Sequence, residues 1–324
     1  MTEFNGKRVL ATGGAGFLGS RIVPLLVDKG YAVHVPRSRF YDFRDRADIN
    51  RLFGRFQFDI VIHAAAHAGG IGLNQAKPGE LFYDNITMGV NLLEESRIQG
   101  VKKFVQIGTI CEYPKFAVTP FSEWDLWNGY PEDTNAPYGL AKKSLLVMGQ
   151  AYRQQYGMNV IHLLPVNLYG PGDNFDTESS HVIPALIRKF VDAKIDSLPE
   201  VVVWGDGMAS REFLYVEDCA EAIVKATELY DEGEPVNIGT GSEIKIKELA
   251  KLIAELVDYK GKIVYDGSKP NGQPRRCLDV SKAKEKFGFE AKTKFKVGLA
   301  NTIAWYLKGQ IHEHSRHKAS PKGL

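Results

Sequence analysis

Arg8-Val9-Leu10-Ala11-Thr12-Gly13-Gly14-Ala15-Gly16-Phe17-Leu18-Gly19 joins a short apolar run to a glycine turn, and Ile22, Val23, Leu25 and Leu26 carry it on as an apolar helix up to Gly30. A buried strand, a G-x-x-G-x-x-G turn and a helix in that order are the context in which such glycines bind a dinucleotide. Gly13 permits the tight turn, Gly16 lets backbone amides approach a pyrophosphate, and Gly19 allows the helix to pack closely on the strand. The helix N-terminus then attracts the anion. Pro24 inside this helix predicts a kink or a loosened turn.

Working outward, Tyr31-Ala32-Val33-His34-Val35 reads as a second strand. An NAD site would place a carboxylate at its end to bond the ribose hydroxyls. The chain has Pro36-Arg37-Ser38-Arg39 there, and guanidinium forks match phosphate oxygens, which points to NADP. Phe58 to Ala66 is another buried strand ending in small residues that let a cofactor lie across the sheet edge. His63 within it reads as a packing residue. Gly69 to Gly72 reads as a flexible loop, followed by a helix over about 78–99. Further strands are expected at Lys103–Ile107, Asn159–Val166 and Pro235–Gly239, with helices between them. Such alternation is the pattern of a parallel, doubly wound sheet. After Gly170 the rhythm changes to a smaller set of strands and helices, interleaved with the first set. His312, His314 and His317 fall in a polar stretch read as a frayed end, with no metal site.

Composition narrows the function. The 324 residues are 44% hydrophobic and 25% charged, which excludes wholesale disorder. A net charge of +2 without a basic stripe argues against nucleic-acid binding. Cys111, Cys219 and Cys277 lie far apart with no zinc-type spacing, and an odd number of thiols fits a reducing cytoplasm. The first residues lack a signal-peptide apolar block and no segment is long and apolar enough for a bilayer, so no membrane partner is expected.

The chemistry-bearing stretch is Gly108 to Lys142. Thr109 follows the apolar strand Lys103–Ile107, and Tyr138-Gly139-Leu140-Ala141-Lys142 places a phenol and an ammonium on one helix face. A nearby cation favours the phenolate, making Tyr138 a usable proton donor or acceptor. Between them, 113–137 forms a long, proline-broken loop of the kind that often carries function.

The glycine turn, Thr109 and Tyr138-x-x-x-Lys142 together resemble the extended short-chain dehydrogenase/reductase family of nucleotide-sugar enzymes. Longer blocks narrow the likeness to its GDP-L-fucose synthase branch: Ala65–Ile71, Thr109–Lys115, Pro165–Pro171, Ser180–Leu186, Arg211–Leu214 and Ser268–Arg275. The resemblance implies an α/β fold, a doubly wound parallel sheet (Rossmann) with a smaller, interleaved α/β substrate lobe. Residues 1–170 with 213–242 would be the NADP-binding domain, 171–212 with 243–310 the nucleotide-sugar lobe, and 311–324 a polar tail. It implies NADPH reduction of GDP-4-keto-6-deoxy-mannose after epimerisation at carbons 3 and 5. Cys111 and His181 would be the acid/base pair, Thr109 and Tyr138 the carbonyl partners, and Lys142 the ribose contact. Cofactor contacts would be Gly13, Gly16, Phe17, Leu18, Gly19, Arg37, Ala65, Lys142, Pro165, Leu168 and His181. Substrate contacts would be Asn167, Lys189, Trp204, Arg211, Lys269 and Arg275. A homodimer through helices flanking the sheet is implied as well.

Protons beside a ketone are acidic because an enolate can form, and inverting a centre needs a base on one face and a donor on the other. A thiol and an imidazole both suit that work near neutral pH. Three positions depart from the family pattern: Thr109 stands where Ser is usual, Glu112 where an apolar residue is common, and His67 in a loop within reach of the sugar. The last two leave another nucleotide-linked 4-keto sugar open, of 6-deoxy-heptose or colitose type, or only one of the two reactions. A 4,6-dehydratase resembles Thr-Asp-Glu where this chain has Thr109-Ile110-Cys111. A non-catalytic NADP sensor has no need of Tyr138, Lys142, Cys111 and His181 together.

Overall fold

The computed structural model describes residues 6–319 other than Glu178 and Pro270. In chain order its strands are β1 (Arg8–Thr12), β2 (Ala32–His34), β3 (Ile60–His63), β4 (Lys103–Ile107), β5 (Asn159–Pro165), β6 (Asn167–Tyr169), β7 (Glu200–Trp204), β8 (Ser210–Tyr215), β9 (Val236–Ile238), β10 (Glu243–Lys245) and β11 (Lys262–Asp266). The helices are α1 (Gly19–Asp28), α2 (Arg46–Arg55), α3 (Ile71–Ala76), α4 (Pro78–Ile98), α5 (Ala136–Tyr156), α6 (Val182–Ile195), α7 (Val216–Leu229), α8 (Ile246–Val257), α9 (Ser281–Phe287) and α10 (Phe295–Ala319).

The large sheet has the order β2-β1-β3-β4-β5-β9, and every pairing in it is parallel. Period-two alternation splits its side chains between two cores, as a sheet covered on both faces requires. Val9, Ile60, Ile62, Val105 and Ile161 pack toward α1 and α7. Leu10, Val61, Phe104 and Val160 pack toward α2 and α4. The strand order reverses between β1 and β3, which opens a crevice beyond their C-terminal ends.

A second region is built on β10-β8-β6 and β11-β7, with α6, α8 and α10 forming its core. The chain crosses between the two regions repeatedly. Residues 278–289, which the sequence reading gives to the smaller lobe, supply Leu278, Ala283, Phe287 and Phe289 to the core of the large sheet.

Pro24 lies within α1 without ending it. Two local readings change. Residues 71–76 form a helix rather than a flexible loop, because the buried Asn74 amide donates to the carbonyls of Gly69 and Gly70, at 2.9 and 3.0 Å, and holds the turn closed. α10 continues to Ala319, so most of the expected tail is helical backbone. Among the described residues no helix is long and apolar enough to cross a membrane.

Candidate active site

A cavity of about 470 Å³ opens at the C-terminal edge of the large sheet, between it and the smaller region. Thr109, Cys111, Tyr138, Lys142 and His181 all line it. They reach it by different routes.

Thr109 leaves the end of β4 in extended conformation and caps a 3-10 turn over Ile110–Glu112. Its hydroxyl accepts from the Cys111 amide at 3.2 Å, and the Glu112 carboxylate accepts from the Thr109 amide at 2.9 Å. This reciprocal pair is a capping box, which sets the direction of both Thr109 and Cys111. α5 presses on the same turn, since a side chain at Gly139 would run into the Cys111 carbonyl. α5 itself ends at Gly157, whose φ of +65° suits a left-handed C-cap. Its inner face delivers Tyr138 and, one turn on, Lys142.

Burial raises the Tyr138 phenol above its ordinary range, Cys111 and Glu112 push the same way, and the Thr109 hydroxyl opposes them. The phenolate expected from a neighbouring cation is therefore not what the site holds at neutral pH. Desolvation wins, and Tyr138 is a protonated phenol, the form a proton donor needs. Lys142 is 2% exposed, and its ammonium donates to the Ile107 carbonyl at 3.2 Å. Burial lowers it to about 8, with Glu112 opposing. A Lys depressed in the fold costs stability wherever both states carry the proton. That cost shrinks as pH rises through the folded value, because the native form then releases its proton first. Lys142→Met is accordingly expected to stabilise the protein by on the order of 2 kcal/mol at pH 7, and by less above pH 8, in urea melts at the two pH values.

His181 sits at the N-cap position of α6, yet its side chain caps nothing. The imidazole lines the cavity instead; although the residue is solvent-exposed overall, desolvation at the ring and then Arg276 lower its pKa. Its loop is strapped across to the turn after β3, where the Gly70 amide donates to the Ser179 carbonyl at 2.9 Å. Gly70 is required at that approach, because a Cβ would strike the Ser180 carbonyl. Cys111 carries a free thiol, half-buried, with the Arg276 guanidinium 3.6 Å from its sulfur.

The opposite wall carries Asn167, Lys189, Trp204 and Arg211. Asn167 donates to the Glu212 carbonyl at 3.0 Å. Arg211 is fixed by the carbonyls of Ser210 and Asn271, and burial lowers it to about 9, still cationic at neutral pH. The ammonium groups of Lys189 and Lys269 each lie 5.6 Å from the Trp204 ring centroid, and the indole is half exposed.

The glycine edge fits a dinucleotide phosphate. Gly13 has φ +67°, and a side chain at Gly19 would collide with the Gly13 carbonyl, so strand and helix meet as closely as the motif demands. An added Cβ at Gly16 would meet only the Gly13 oxygen at 3.2 Å, leaving that face open. The amides of Phe17 and Leu18 carry no backbone hydrogen bond among the described residues, and α1 has no acidic residue in its first turn. Phe17, Leu18, Pro165 and Leu168 line the cavity. Gly13, Gly16, Arg37 and Ala65 lie outside its walls. Ala65 donates its amide to the Thr12 hydroxyl at 3.2 Å, and Arg37 is exposed beyond β2.

Several expected site residues go elsewhere. Arg275 is ion-paired with Glu243 and points outward, and Arg276 lines the cavity in its place. The segment runs extended beside β8, with Ser210 bonded to Pro274 and Arg276 and the Glu212 amide bonded to Arg276, so neighbouring side chains leave on opposite sides. Lys269 stands over Trp204 without lining the cavity. His67 turns from the cavity to Asp84, at 2.8 Å. Glu112 is fully buried against His162, so neither Glu112 nor His67 lines the cavity. His63 bonds Thr12 at 2.8 Å as a packing residue. Besides Arg276, the cavity carries Gln273, Ser180 and Asp173, to none of which the sequence reading gives a role. Burial pushes Asp173 up to about 7, and one of its oxygens has no partner among the described residues.

A doubly wound sheet, a glycine turn at its switch point and a Tyr-x-x-x-Lys helix facing one polar cavity define an extended short-chain dehydrogenase/reductase. The chain belongs to the NAD dependent epimerase/dehydratase family, which it matches over residues 9–239. It is 42% identical to probable GDP-L-fucose synthase 1 of Oryza sativa subsp. japonica, over 94% of either chain. It is 38% identical to the GDP-L-fucose synthase of Escherichia coli strain K12, over 94% of this chain and 98% of the other. The crystal structure of a GDP-L-fucose synthetase from Naegleria fowleri bound to NADP superposes with a TM-score of 0.86 at 27% identity, covering 96% of this chain and 97% of that one.

Proposed function

We propose that the chain is an NADPH-dependent epimerase-reductase that converts GDP-4-keto-6-deoxy-mannose to GDP-L-fucose. The observation that carries this reading is one cavity in which a thiol, an imidazole, a phenol and a buried ammonium converge, with two arginines and an indole facing them. The curated relatives named above are GDP-L-fucose synthases over nearly their whole length.

Cys111 and His181 take and return the protons at carbons 3 and 5, and the enolate formed between is stabilised by donors at its oxygen. Tyr138 and Thr109 supply those donors, and Tyr138 then delivers a proton to the same oxygen during reduction. NADPH, when bound, supplies the hydride to carbon 4. Gly13, Gly16, Gly19 and the amides of Phe17 and Leu18 hold its diphosphate, Arg37 the ribose phosphate, and Lys142 the nicotinamide ribose, with Ala65, Pro165, Leu168 and His181 around the rings. Lys189, Arg211 and Arg276 meet the sugar-nucleotide diphosphate and sugar, Asn167 orients it, and Trp204 walls the base with Lys269 beyond it. On this reading residues 1–170 with 213–242 carry the cofactor, and 171–212 with 243–310 close over the sugar nucleotide.

Arg276→Ala is expected to raise KM for the sugar nucleotide about 10- to 100-fold, the loss of one charge-assisted hydrogen bond. Arg275→Ala, which removes an outward ion pair, changes KM less than about threefold. Steady-state kinetics on the two neighbours separates them. Exposed apolar side chains on the helices flanking the sheet, Phe82, Tyr83 and Ile98 on α4 and Val147 on α5, support a homodimer, testable by light scattering. The three free thiols suit a reducing, cytoplasmic setting.

Substrate choice is tested by incubating the protein and NADPH with GDP-, dTDP- and CDP-linked 4-keto sugars. The GDP-linked 6-deoxy sugar is expected to be consumed at least tenfold faster than the others. Faster turnover of a dTDP- or CDP-linked sugar would overturn the assignment.

A further inference from the structure

Gln273 lines the cavity and is 2% exposed. Its amide nitrogen donates to the carbonyls of Pro114 and Lys115, at 3.2 and 2.9 Å, and its amide oxygen accepts from Arg276 Nε at 2.8 Å. The reverse orientation would set an oxygen against two carbonyls and an amine against a guanidinium, so the network admits only one. A primary amide has two N–H donors, and both are spent on backbone. Gln273 therefore keeps no donor for a ligand, although it lines the cavity. What it holds is protein on two sides. Pro114 and Lys115 follow the 3-10 turn that carries Cys111, and Arg276 Nη1 lies 3.6 Å from the Cys111 sulfur.

Arg276 is 6% exposed, and among the described residues its guanidinium meets Gln273 and Cys111 but no carboxylate. A buried cation calls for an anionic partner, which the cavity leaves to a ligand. Because a guanidinium is rigid and planar, fixing Nε and one Nη fixes the direction of every other N–H. The main chain around it is held independently of Gln273. The Arg276 amide donates to the Ser210 carbonyl at 3.2 Å, and the Arg276 carbonyl accepts from the Glu212 amide at 2.9 Å. The next carbonyl, of Cys277, accepts from the Phe121 amide at 2.8 Å. Removing the Gln273 amide thus frees the Arg276 side chain and leaves its backbone in place.

We propose that Gln273 is a positioning residue that acts through Arg276: it fixes the plane of the guanidinium against the segment leaving the catalytic turn, so that the cation is presented in place to an anionic sugar nucleotide. This rests on the epimerase-reductase reading for what Arg276 binds, though not for the tie between the two side chains. Without Gln273 the arginine must be immobilised when the ligand arrives, and the cost of ordering one long side chain falls on binding.

Two readouts are taken on wild type, Gln273→Met, Arg276→Ala and the double variant; methionine keeps the length of the side chain and loses the amide. The first is steady-state kinetics of NADPH oxidation with the 4-keto sugar. Gln273→Met is expected to raise KM for the sugar nucleotide about five- to tenfold, with kcat within about threefold. Introduced into Arg276→Ala, the same substitution is expected to change KM less than about twofold, because its effect passes through the missing arginine. The second readout is solvent exchange of the Arg276 Nε proton, by NMR on arginine-labelled protein, the signal being identified by its absence in Arg276→Ala. Exchange is expected to be at least about tenfold slower in wild type than in Gln273→Met. An equal rise in KM in both backgrounds overturns the proposal. So does a fall in kcat at unchanged KM, which marks a loosened cavity, or exchange that Gln273→Met leaves unaltered. If Gln273→Met fails to fold, wild type decides: an Arg276 Nε proton that exchanges as fast as that of the exposed Arg39 contradicts the tie, and a protected one upholds it. Wild type that oxidises no NADPH with any 4-keto sugar refutes the function reading alone, because the exchange measurement still decides whether Gln273 holds Arg276.

Discussion

Tyr138→Phe is expected to lower the rate of NADPH oxidation with the 4-keto sugar by about 10³-fold, with NADPH affinity within about twofold of wild type. The phenol stands in the cavity beside Thr109, and its pKa is raised by burial, then by Cys111 and Glu112. It is thus a neutral donor at neutral pH. Without it, reduction of the ketone would leave an alkoxide served only by the Thr109 hydroxyl. About 4 kcal/mol of barrier corresponds to that loss. Lys142 stays in place, tied to the Ile107 carbonyl, so cofactor retention survives. The discriminating observation is single-turnover absorbance of NADPH in the presence of a saturating sugar nucleotide. Oxidation within tenfold of wild type would remove Tyr138 from its role.

Cys111→Ser should cut solvent-deuterium incorporation into the sugar by 10²-fold or more while cofactor binding stays unchanged. The substitution is nearly isosteric, and the Cys111 amide keeps its bond to Thr109, so the turn is expected to hold. What is lost is a thiol, a side-chain class far more acidic than a hydroxyl. His181→Asn is expected to give a comparable loss, because the proposed epimerisation removes and returns the proton on opposite faces and so calls for a group on each. Exchange at the wild-type rate in Cys111→Ser would assign epimerisation to other residues.

Much of the architecture was readable locally. A strand, three glycines and a helix are contiguous signals, as are Tyr138 and Lys142 one helical turn apart, and the structure brings all of them to one sheet edge. Cys111 and His181 had no such local mark. A lone thiol and a lone imidazole acquire meaning only through resemblance, and they come into one cavity because the loop at Ser179 is bonded to Gly70. Position along the chain misled where side-chain direction depends on backbone detail. The 3-10 turn after Thr109 sends Glu112 inward to His162, and the extended pairing beside β8 sends Arg276 inward and Arg275 out. The sequence places both arginines in one basic pair, and only the register beside β8 separates them. The phenolate expectation failed for a related reason: burial is a property of the folded site, and no spacing of Tyr and Lys reports it.

The central claim is that one cavity performs both proton exchange and reduction. Its most direct test is to run the wild-type protein with GDP-4-keto-6-deoxy-mannose and NADPH in deuterated water and to determine the product by NMR. GDP-L-fucose carrying deuterium at carbons 3 and 5 is the predicted result. A reduced sugar that keeps the manno configuration and carries no deuterium at those carbons would contradict it.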